Sequence, residues 1–284
     1  MYIKNQKKSI ALWYNYNTMI VFPNAKINIG LDITARRSDG FHDIETVFYP
    51  VKLHDCLEFI ENHSDNDRFE TSGIAIPPNG KPNLVEKAVA KVREKHHIPH
   101  LDIHLLKHIP AGAGLGGGSA DAAFMINALD SCFSLKMSEE EKISIASSLG
   151  SDCAFFIKNR PSFATGRGEI FTQIPDIKED LNIVIIKPDI AISTPFAYSK
   201  VKPQKPSHNL IVSVTKPVAQ WKDLIKNDFE QFLFPEFPLL GELKQKLYLS
   251  GATYASMTGS GSALFGIFEK EPELDGELQK IRIL

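Results

Sequence analysis

Apolar and polar side chains alternate over residues 101–105, Leu-Asp-Ile-His-Leu, which is the pattern of a strand with one buried face. A glycine-rich stretch follows over residues 110–121, and an apolar run over residues 122–130 comes directly after it. We expect Ser119-Ala120-Asp121 to cap a helix formed by that run. The pattern therefore predicts a unit of strand, glycine loop and helix.

A second alternating stretch covers residues 20–33. Polar or small side chains share one face and apolar side chains share the other: Lys26, Asn28, Gly30 and Asp32 against Ile27, Ile29, Leu31 and Ile33. We expect a strand whose polar face meets solvent, with Lys26 and Asn28 on the same side about 7 Å apart. Such polar residues fit either a solvated sheet face or a ligand contact. A turn signal at Asp39-Gly40 and a strand-like run over 44–49 predict a hairpin.

An amphipathic helix is predicted over residues 139–149, with Gly150 at its end. Asp152 follows, directly before the apolar run 153–156, so we expect its carboxylate to be partly desolvated. A helix-capping or turn aspartate and a catalytic base account for this position equally well. A second loop of glycine and hydroxyl residues, Met257-Thr-Gly-Ser-Gly261, lies further along the chain.

The loop at 110–121 has the composition of a phosphate-binding loop. Glycine lacks the Cβ that would block close backbone approach, and a helix N-terminus offers unpaired N–H groups to an anion. A dinucleotide-binding loop is disfavoured, although Gly112-Ala-Gly114-Leu-Gly-Gly117 fits its spacing, because no acidic residue ends a second strand about twenty residues later. A Walker A loop is excluded because Ser119 and Ala120 follow Gly118, with no lysine. A flexible linker is disfavoured by the flanking strand and helix signals.

Composition narrows the classes of function. The chain has 284 residues, 43% of them hydrophobic, which is enough for two modest domains or one large one. Its net charge of −2 gives no basic surface of the kind that binds nucleic acid, and no apolar run has the length of a membrane span. Three distant cysteines fit a reducing compartment. We expect a cytoplasmic protein that is a monomer or weak homodimer and has no nucleic-acid or membrane partners. Residues 1–18 are expected to form an N-terminal extension.

Four segments together resemble the GHMP kinase superfamily, which includes galactokinase and the homoserine, mevalonate and phosphomevalonate kinases. They are residues 25–28, 110–120, 150–152 and 258–261. The resemblance implies an α+β, two-domain GHMP kinase fold: a ribosomal protein S5 domain 2-like N-terminal domain over 19–158, a ferredoxin-like C-terminal domain over 159–284, and an active site in the cleft between them. It also implies phosphoryl transfer from ATP with Mg²⁺.

Three further motifs resemble one branch of that superfamily. They are Asp39-Gly-Phe-His42, Gly166-Arg-Gly-Glu169 and Ser193-Thr-Pro195. This branch phosphorylates a hydroxyl of a cytidine diphosphate alcohol in the non-mevalonate route to isoprenoids. The resemblance therefore implies that a small-molecule cytidine diphosphate alcohol is the substrate.

The resemblance assigns roles to individual residues. It implies Lys26 and Asp152 as the catalytic pair, with Ser119 as a candidate Mg²⁺ ligand. The loop that would wrap the ATP phosphates comprises Pro110, Ala111, Gly112, Ala113, Gly114, Leu115, Gly116, Gly117, Gly118, Ser119 and Ala120. The residues implied for the substrate are Asn28, Phe41, His42, Thr194, Tyr198, Gly259 and Ser260. Among these, Phe41 and Tyr198 would stack on the base, His42 would read its polar edge, and Asn28 and Thr194 would lie near the diphosphate or sugar.

The sequence departs from the family pattern at two of these places. Phe41 stands where a tyrosine is common, which keeps the stacking surface and loses a hydroxyl contact, and Ala154 stands where a proline is common. Two other readings stay open. One is another small-molecule GHMP kinase of the homoserine or mevalonate type, and the other is a non-catalytic nucleotide-binding regulator, in which Lys26 and Asp152 need not meet.

Overall fold

The computed structural model describes residues 18–76, 80, 82–174, 177, 181–206 and 208–284. All but Thr18 of the expected N-terminal extension lies outside the described residues. The described chain contains three β-sheets with helices packed against them, so the expected α+β class is confirmed.

The first sheet carries the strand that leads into the glycine loop. Its strands, in spatial order, are β1 (Met19–Val21), β4 (Cys56–Asn62), β6 (His100–Lys107) and β5 (Arg68–Gly73). Four helices pack beside this sheet: α1 (Leu84–Arg93), α2 (Gly117–Phe133), α3 (Glu139–Leu149) and α4 (Cys153–Lys158). One apolar core joins the sheet to the helices through residues such as Leu57, Leu101, Val89 and Ile126.

The predicted unit of strand, glycine loop and helix is confirmed, but the expected cap is wrong. Helix α2 begins at Gly117, because Gly116 takes a left-handed φ of 72° and turns the chain into the helix. Ser119 and Asp121 therefore lie inside the first turns. The carboxylate of Asp121 is buried against Lys107 and caps nothing.

The second sheet is built on the predicted hairpin. Strand β2 (Asn24–Arg36) pairs antiparallel with β3 (His42–His54), and β7 (Ser162–Thr165) and β8 (Ile170–Gln173) continue the sheet. The expected solvent-facing side of β2 is wrong: Lys26, Asn28 and Asp32 are all buried. The glycine loop and residues 226–228 cover this strand, through bonds from Lys26 N to Leu115 O and from Leu31 N to Lys226 O, each 2.9 Å.

The third sheet and the remaining helices form the C-terminal part. Strands β10 (Tyr254–Met257), β11 (Leu264–Phe268) and β9 (Asn182–Ile186) pair antiparallel in that order. The helices are α5 (Thr194–Lys200), α6 (Leu210–Val214), α7 (Trp221–Leu224), α8 (Asp228–Glu236), α9 (Pro238–Leu249) and α10 (Gly276–Ile281), with a short 3₁₀ turn at Val218–Gln220. The domain limits at 19–158 and 159–284 stay a prediction.

Asn227 fastens the C-terminal part to the hairpin. Its side-chain amide donates to the carbonyl oxygens of Met257 and Gly259 at 2.8 and 2.9 Å, and its backbone bridges Leu31 on β2. The loop that follows β10 is thereby held beside the polar residues of β2. Within the described part of the chain, no helix combines the length and the apolar composition needed to span a membrane.

Candidate functional site

A cavity of about 530 Å³ opens between the hairpin, the glycine loop, the start of α5 and the loop after β10. Both residues expected to be catalytic, Lys26 and Asp152, line it. All seven residues expected to contact the substrate line it as well: Asn28, Phe41, His42, Thr194, Tyr198, Gly259 and Ser260. From the glycine loop it takes Gly112, Gly114 and Gly116. The structure thus brings together side chains that are up to 234 positions apart in the chain.

The ammonium group of Lys26 borders the cavity from a buried position. Its Nζ donates to Asn28 Oδ1 at 2.7 Å and to the carbonyl oxygen of Gly114 at 2.9 Å, and it lies 3.4 Å from Asp152 Oδ2. Burial lowers the pKa of Lys26, while the negative charge of Asp152 opposes this shift. The hydrogen bond between the two side chains confirms that Lys26 and Asn28 lie on the same side of β2, as expected.

The carboxylate of Asp152 borders the cavity and does not cap a helix. Asp152 is the residue that precedes α4, but its side chain makes no capping hydrogen bond to that helix. About a third of the side chain is exposed, at 32%, whereas Lys26 is exposed by only 4%. One oxygen faces the ammonium group, and the carboxylate borders the open cavity. A carboxylate so placed can accept a proton from a bound hydroxyl group.

A buried hydrogen-bond network fixes Asn28, and through it Lys26. The Asn28 side-chain amide donates to Thr46 Oγ1 at 2.9 Å, and the Thr46 hydroxyl in turn donates to the Gly30 carbonyl oxygen at 2.5 Å. The backbone N–H of Asn28 donates to Thr258 Oγ1 at 3.0 Å. The amide oxygen of Asn28 is therefore oriented toward the ammonium group before any ligand arrives.

Glycine is required where the loop meets the segment after β10. Gly114 has φ of 78°, and a Cβ at this position would lie 2.2 Å from the carbonyl oxygen of Thr258. Gly116 has φ of 72°, and a Cβ there would lie 3.2 Å from the Lys26 side chain. A larger residue at Gly114 would separate the loop from Thr258, and the left-handed backbone at Gly116 disfavours any residue other than glycine.

Part of the cavity lining is aromatic. The rings of His42 and Tyr198 stack with centroids 4.9 Å apart, and Tyr198 meets Phe229 edge-on at 5.0 Å. Burial lowers the pKa of His42 and raises that of Tyr198 to about 12, so both rings are neutral near pH 7. Phe41 is 55% exposed at the rim. A flat, partly polar ring can stack and form hydrogen bonds on such a surface.

A second cavity, of about 470 Å³, lies beside other residues of the glycine loop. Ala111 and Gly118 line it, together with residues 82–84 at the start of α1. Ser119 lines neither cavity; its hydroxyl lies near Gly150 and Cys153. Among the described residues, no cluster of three histidine, cysteine or acidic side chains could hold a metal ion.

A buried ion triad, which was not expected from the sequence, lies beside this second cavity. Lys107 Nζ contacts Asp55 Oδ2 and lies 2.7 Å from Asp121 Oδ2. Asp55 also accepts from the backbone N–H groups of His108 and Ile109 at 2.6 and 2.9 Å. The alternation of β6 already places Lys107 on the buried face with Leu101 and Leu105, and this was the available signal. Arg167, in the turn between β7 and β8, also lines the first cavity and was not expected there.

The chain is similar to known proteins over most of its length. Residues 83–160 match the GHMP kinases N terminal domain and residues 215–283 match GHMP kinases C terminal. A 4-diphosphocytidyl-2-C-methyl-D-erythritol kinase of Porphyromonas gingivalis is 49% identical over 259 residues, covering 90% of this chain and 94% of the relative. One from Bacteroides thetaiotaomicron is 48% identical over 262 residues, covering 90% and 96%.

Solved structures give the same picture. A crystal structure of 4-(cytidine 5'-diphospho)-2C-methyl-D-erythritol kinase superposes with a TM-score of 0.71 at 30% identity, covering 88% of this chain and 90% of that one. Homoserine kinase from Cytophaga hutchinsonii superposes with a TM-score of 0.64 at 17% identity, covering 93% and 88%. The second similarity concerns the fold alone.

Proposed function

The chain belongs to the GHMP kinase family, and on this premise we propose that its first cavity binds the phosphoryl acceptor while the glycine loop binds ATP. The protein is an ATP-dependent kinase for 4-diphosphocytidyl-2-C-methyl-D-erythritol, a step of the non-mevalonate route to isoprenoid precursors. It forms the 2-phosphate of this alcohol. The observation that carries the site proposal is the approach of Lys26 to Asp152, at 3.4 Å, where the cavity meets the glycine loop.

The reaction needs positioning and charge compensation more than covalent chemistry. An alcohol is a weak nucleophile, and negative charge spreads over the transferred phosphoryl oxygens as the bond to ADP breaks. We propose that the hydroxyl oxygen attacks the γ-phosphorus, Asp152 takes the hydroxyl proton, and ADP leaves. Lys26 orients the Asp152 carboxylate and stabilises the charge that develops on the phosphoryl group.

The two cavities support a proposal for the position of the nucleotide. Residues Gly112, Gly114 and Gly116 border the first cavity, whereas Ala111 and Gly118 border the second. We propose that the ATP phosphates lie along the loop 110–120, near the N-terminus of α2, and that the adenine end occupies the second cavity. The start of α2 supports this placement because its unpaired N–H groups favour an anion.

Magnesium is proposed on chemical grounds. Mg²⁺ keeps several waters and is commonly bound through few protein ligands and the substrate phosphates. The hydroxyl of Ser119 is the proposed protein ligand, although in this structure it lies near Gly150 and Cys153 and lines neither cavity. When bound, the ion would neutralise phosphate charge. Monomeric or weakly dimeric assembly and a cytoplasmic location stay predictions.

The alternatives are separated by one assay. ADP formation is measured with the cytidine diphosphate alcohol, homoserine and mevalonate in parallel. We expect turnover with the cytidine substrate only. Turnover confined to homoserine or mevalonate would contradict the proposed acceptor, and no turnover with any alcohol would favour the non-catalytic regulator.

The same assay tests the base. We expect Asp152→Asn to lower kcat by about 10²- to 10⁴-fold, because one general base contributes that much. Asp223→Asn is the matched control, since Asp223 is exposed on α7 and lines neither cavity. Near-normal turnover of Asp152→Asn would remove Asp152 from this role.

A further inference from the structure

Arg167 occupies a fixed turn at the rim of the first cavity. The turn joins β7 to β8, with Gly166 and Gly168 at φ of 68° and 101° on either side of Arg167. The Gly166 carbonyl oxygen accepts from the backbone N–H of Ile44 at 2.7 Å, which fastens the turn to β3. The backbone N–H of Arg167 donates to Glu169 Oε2 at 2.5 Å. The backbone of Arg167 is therefore held in place beside the hairpin.

The guanidinium group of Arg167 keeps its donors available. Its Cζ lies 4.9 Å from the centroid of the Phe41 ring, a cation–π contact. Its Nε forms an ion pair with Glu169 Oε1 at 3.6 Å, a distance too long for a hydrogen bond. In the part of the chain that the structure describes, the guanidinium group forms no hydrogen bond, and its side chain is 38% exposed. It can therefore turn toward a ligand while it keeps its contact with Phe41.

The charged side chains that line the cavity differ in how far their charges are buried and paired. Among the described residues that line it, Lys26, Asp152 and Arg167 carry formal charge, with His42 held neutral by burial. The ammonium of Lys26 is 3.4 Å from the Asp152 carboxylate, so those two charges offset each other. Arg167 forms an ion pair with Glu169 at 3.6 Å, but its side chain is 38% exposed against 4% for Lys26, so it is the more accessible cation of this cavity and can meet further negative charge.

From this arrangement we infer that Arg167 binds the diphosphate of the acceptor and makes the site prefer a nucleoside diphosphate to the uncharged nucleoside. The inference rests on the proposed function, because it needs the cytidine substrate in this cavity. The planar fork of a guanidinium matches phosphate oxygens and forms strong charge-assisted bonds. Phe41 and Arg167 then act as one unit, in which the ring contacts the base and the guanidinium contacts the phosphates.

Competitive inhibition separates charge recognition from stacking. Inhibition constants of cytidine and of CDP are measured against the cytidine diphosphate alcohol, with saturating ATP, for the wild-type protein and for Arg167→Gln. Arg160→Gln is the matched control, because Arg160 is exposed at the other end of β7 and lines neither cavity. The apparent KM for ATP and the midpoint of thermal unfolding are recorded for each variant.

We expect Arg167→Gln to raise the inhibition constant of CDP by about 10- to 100-fold, the usual effect of losing hydrogen bonds to a charged group. The inhibition constant of cytidine should change by less than about twofold, since cytidine lacks the phosphates. Higher ionic strength should weaken CDP binding in the wild-type protein more than in the variant. Arg160→Gln should behave as the wild type.

Other results would overturn the inference. Equal weakening of cytidine and CDP would mean that Arg167 acts only through the Phe41 ring, and unchanged CDP inhibition would mean that the phosphates lie elsewhere. A wild-type protein that neither cytidine nor CDP inhibits would overturn the pyrimidine site itself. Failure of the proposed function is thereby distinguished from failure of the Arg167 assignment alone.

Discussion

Two buried lysines of this protein have opposite surroundings. The side chains of Lys26 and Lys107 are each 4% exposed. Lys107 lies between two carboxylates, those of Asp55 and Asp121, which are 0% and 1% exposed. Lys26 contacts an amide oxygen, a carbonyl oxygen and, at 3.4 Å, one carboxylate that is 32% exposed.

The two lysines differ in how completely their charges are compensated by buried carboxylates. The charge of Lys107 is fully compensated inside the fold, where it joins β6 to α2 and to the segment before β4. The charge of Lys26 is compensated by one carboxylate that faces an open cavity, so a phosphate can still be attracted to it. Burial alone therefore does not distinguish the two lysines, whereas the exposure of their carboxylate partners does, which supports the proposal that Lys26 is the catalytic one.

The largest effect on stability is expected at Lys107. Lys107→Met leaves Asp55 and Asp121 buried without a cation, which should lower the free energy of unfolding by about 3 to 5 kcal/mol. Urea unfolding measures this change. The double variant with Asp121→Asn should recover part of the loss, since one uncompensated carboxylate is removed. Stability within about 1 kcal/mol of the wild type would break the contrast between the two lysines.

The second effect concerns Lys26. Lys26→Met should lower kcat by about 10²- to 10³-fold, because a donor aimed at developing charge is lost. The free energy of unfolding should fall little or rise, since removing the lysine also removes the cost of burying its charge. A variant that loses stability as Lys107→Met does, while keeping its turnover, would reverse the assignment of the two roles.

The third effect tests whether the cavity at Lys26 binds the pyrimidine substrate. Phe41→Ala should raise KM for the cytidine substrate by about 5- to 150-fold, since a stacked base contributes about 1 to 3 kcal/mol. KM for ATP should stay unchanged. Phe22→Ala is the matched control, because Phe22 is similarly exposed, at 59%, and lines neither cavity. An unchanged KM for the cytidine substrate would count against this pocket.

The smallest effect adds a buried carboxylate to the comparison. Asp32 is 3% exposed beside Asp228, whose own carboxylate pairs with Lys226 at 3.0 Å. Burial, followed by the charge of Asp228, raises the pKa of Asp32 to about 6. The fold therefore holds this proton more tightly than the unfolded chain does.

The sign of the pH dependence follows from that raised pKa. The stability that protonated Asp32 contributes is fully present below pH 3.8 and is lost as the pH rises through about 6. Above pH 7, the free energy of unfolding of Asp32→Asn should therefore exceed that of the wild type by about 1 to 2 kcal/mol, a range that allows for solvent screening of the charge. Near pH 3.5 the two proteins should be equally stable. Urea unfolding at both pH values measures it. A difference that is independent of pH would contradict the shift.

Local signals in the sequence were enough to predict several elements. The alternation of β6, the turn at Asp39-Gly40 and the helix over 139–149 each depend on neighbours within a few residues, and the structure confirms all three. The family motifs also predicted that Lys26, Asp152 and the aromatic residues lie in one cleft, and all of them line the first cavity. Their assigned roles in binding and catalysis stay predictions.

Features that depend on distant partners could not be predicted in the same way. The polar face of β2 looks solvated in sequence, but Leu115 and Lys226, 89 and 195 positions from their bonded partners, bring cover to it. The start of α2 shifts to Gly117 because Gly116 adopts a left-handed turn against Phe156. Asp121 looked like a cap because its partner, Lys107, lies on another element.

The two cavities lie beside different residues of one loop, with Gly112, Gly114 and Gly116 on one and Ala111 and Gly118 on the other. If the adenine end of ATP occupies the second cavity as proposed, an inhibitor designed for the first cavity leaves that second cavity untouched. Its potency should then not depend on the ATP concentration. Its selectivity would come from contacts with His42, Tyr198 and Arg167, which line the first cavity and do not belong to the glycine loop.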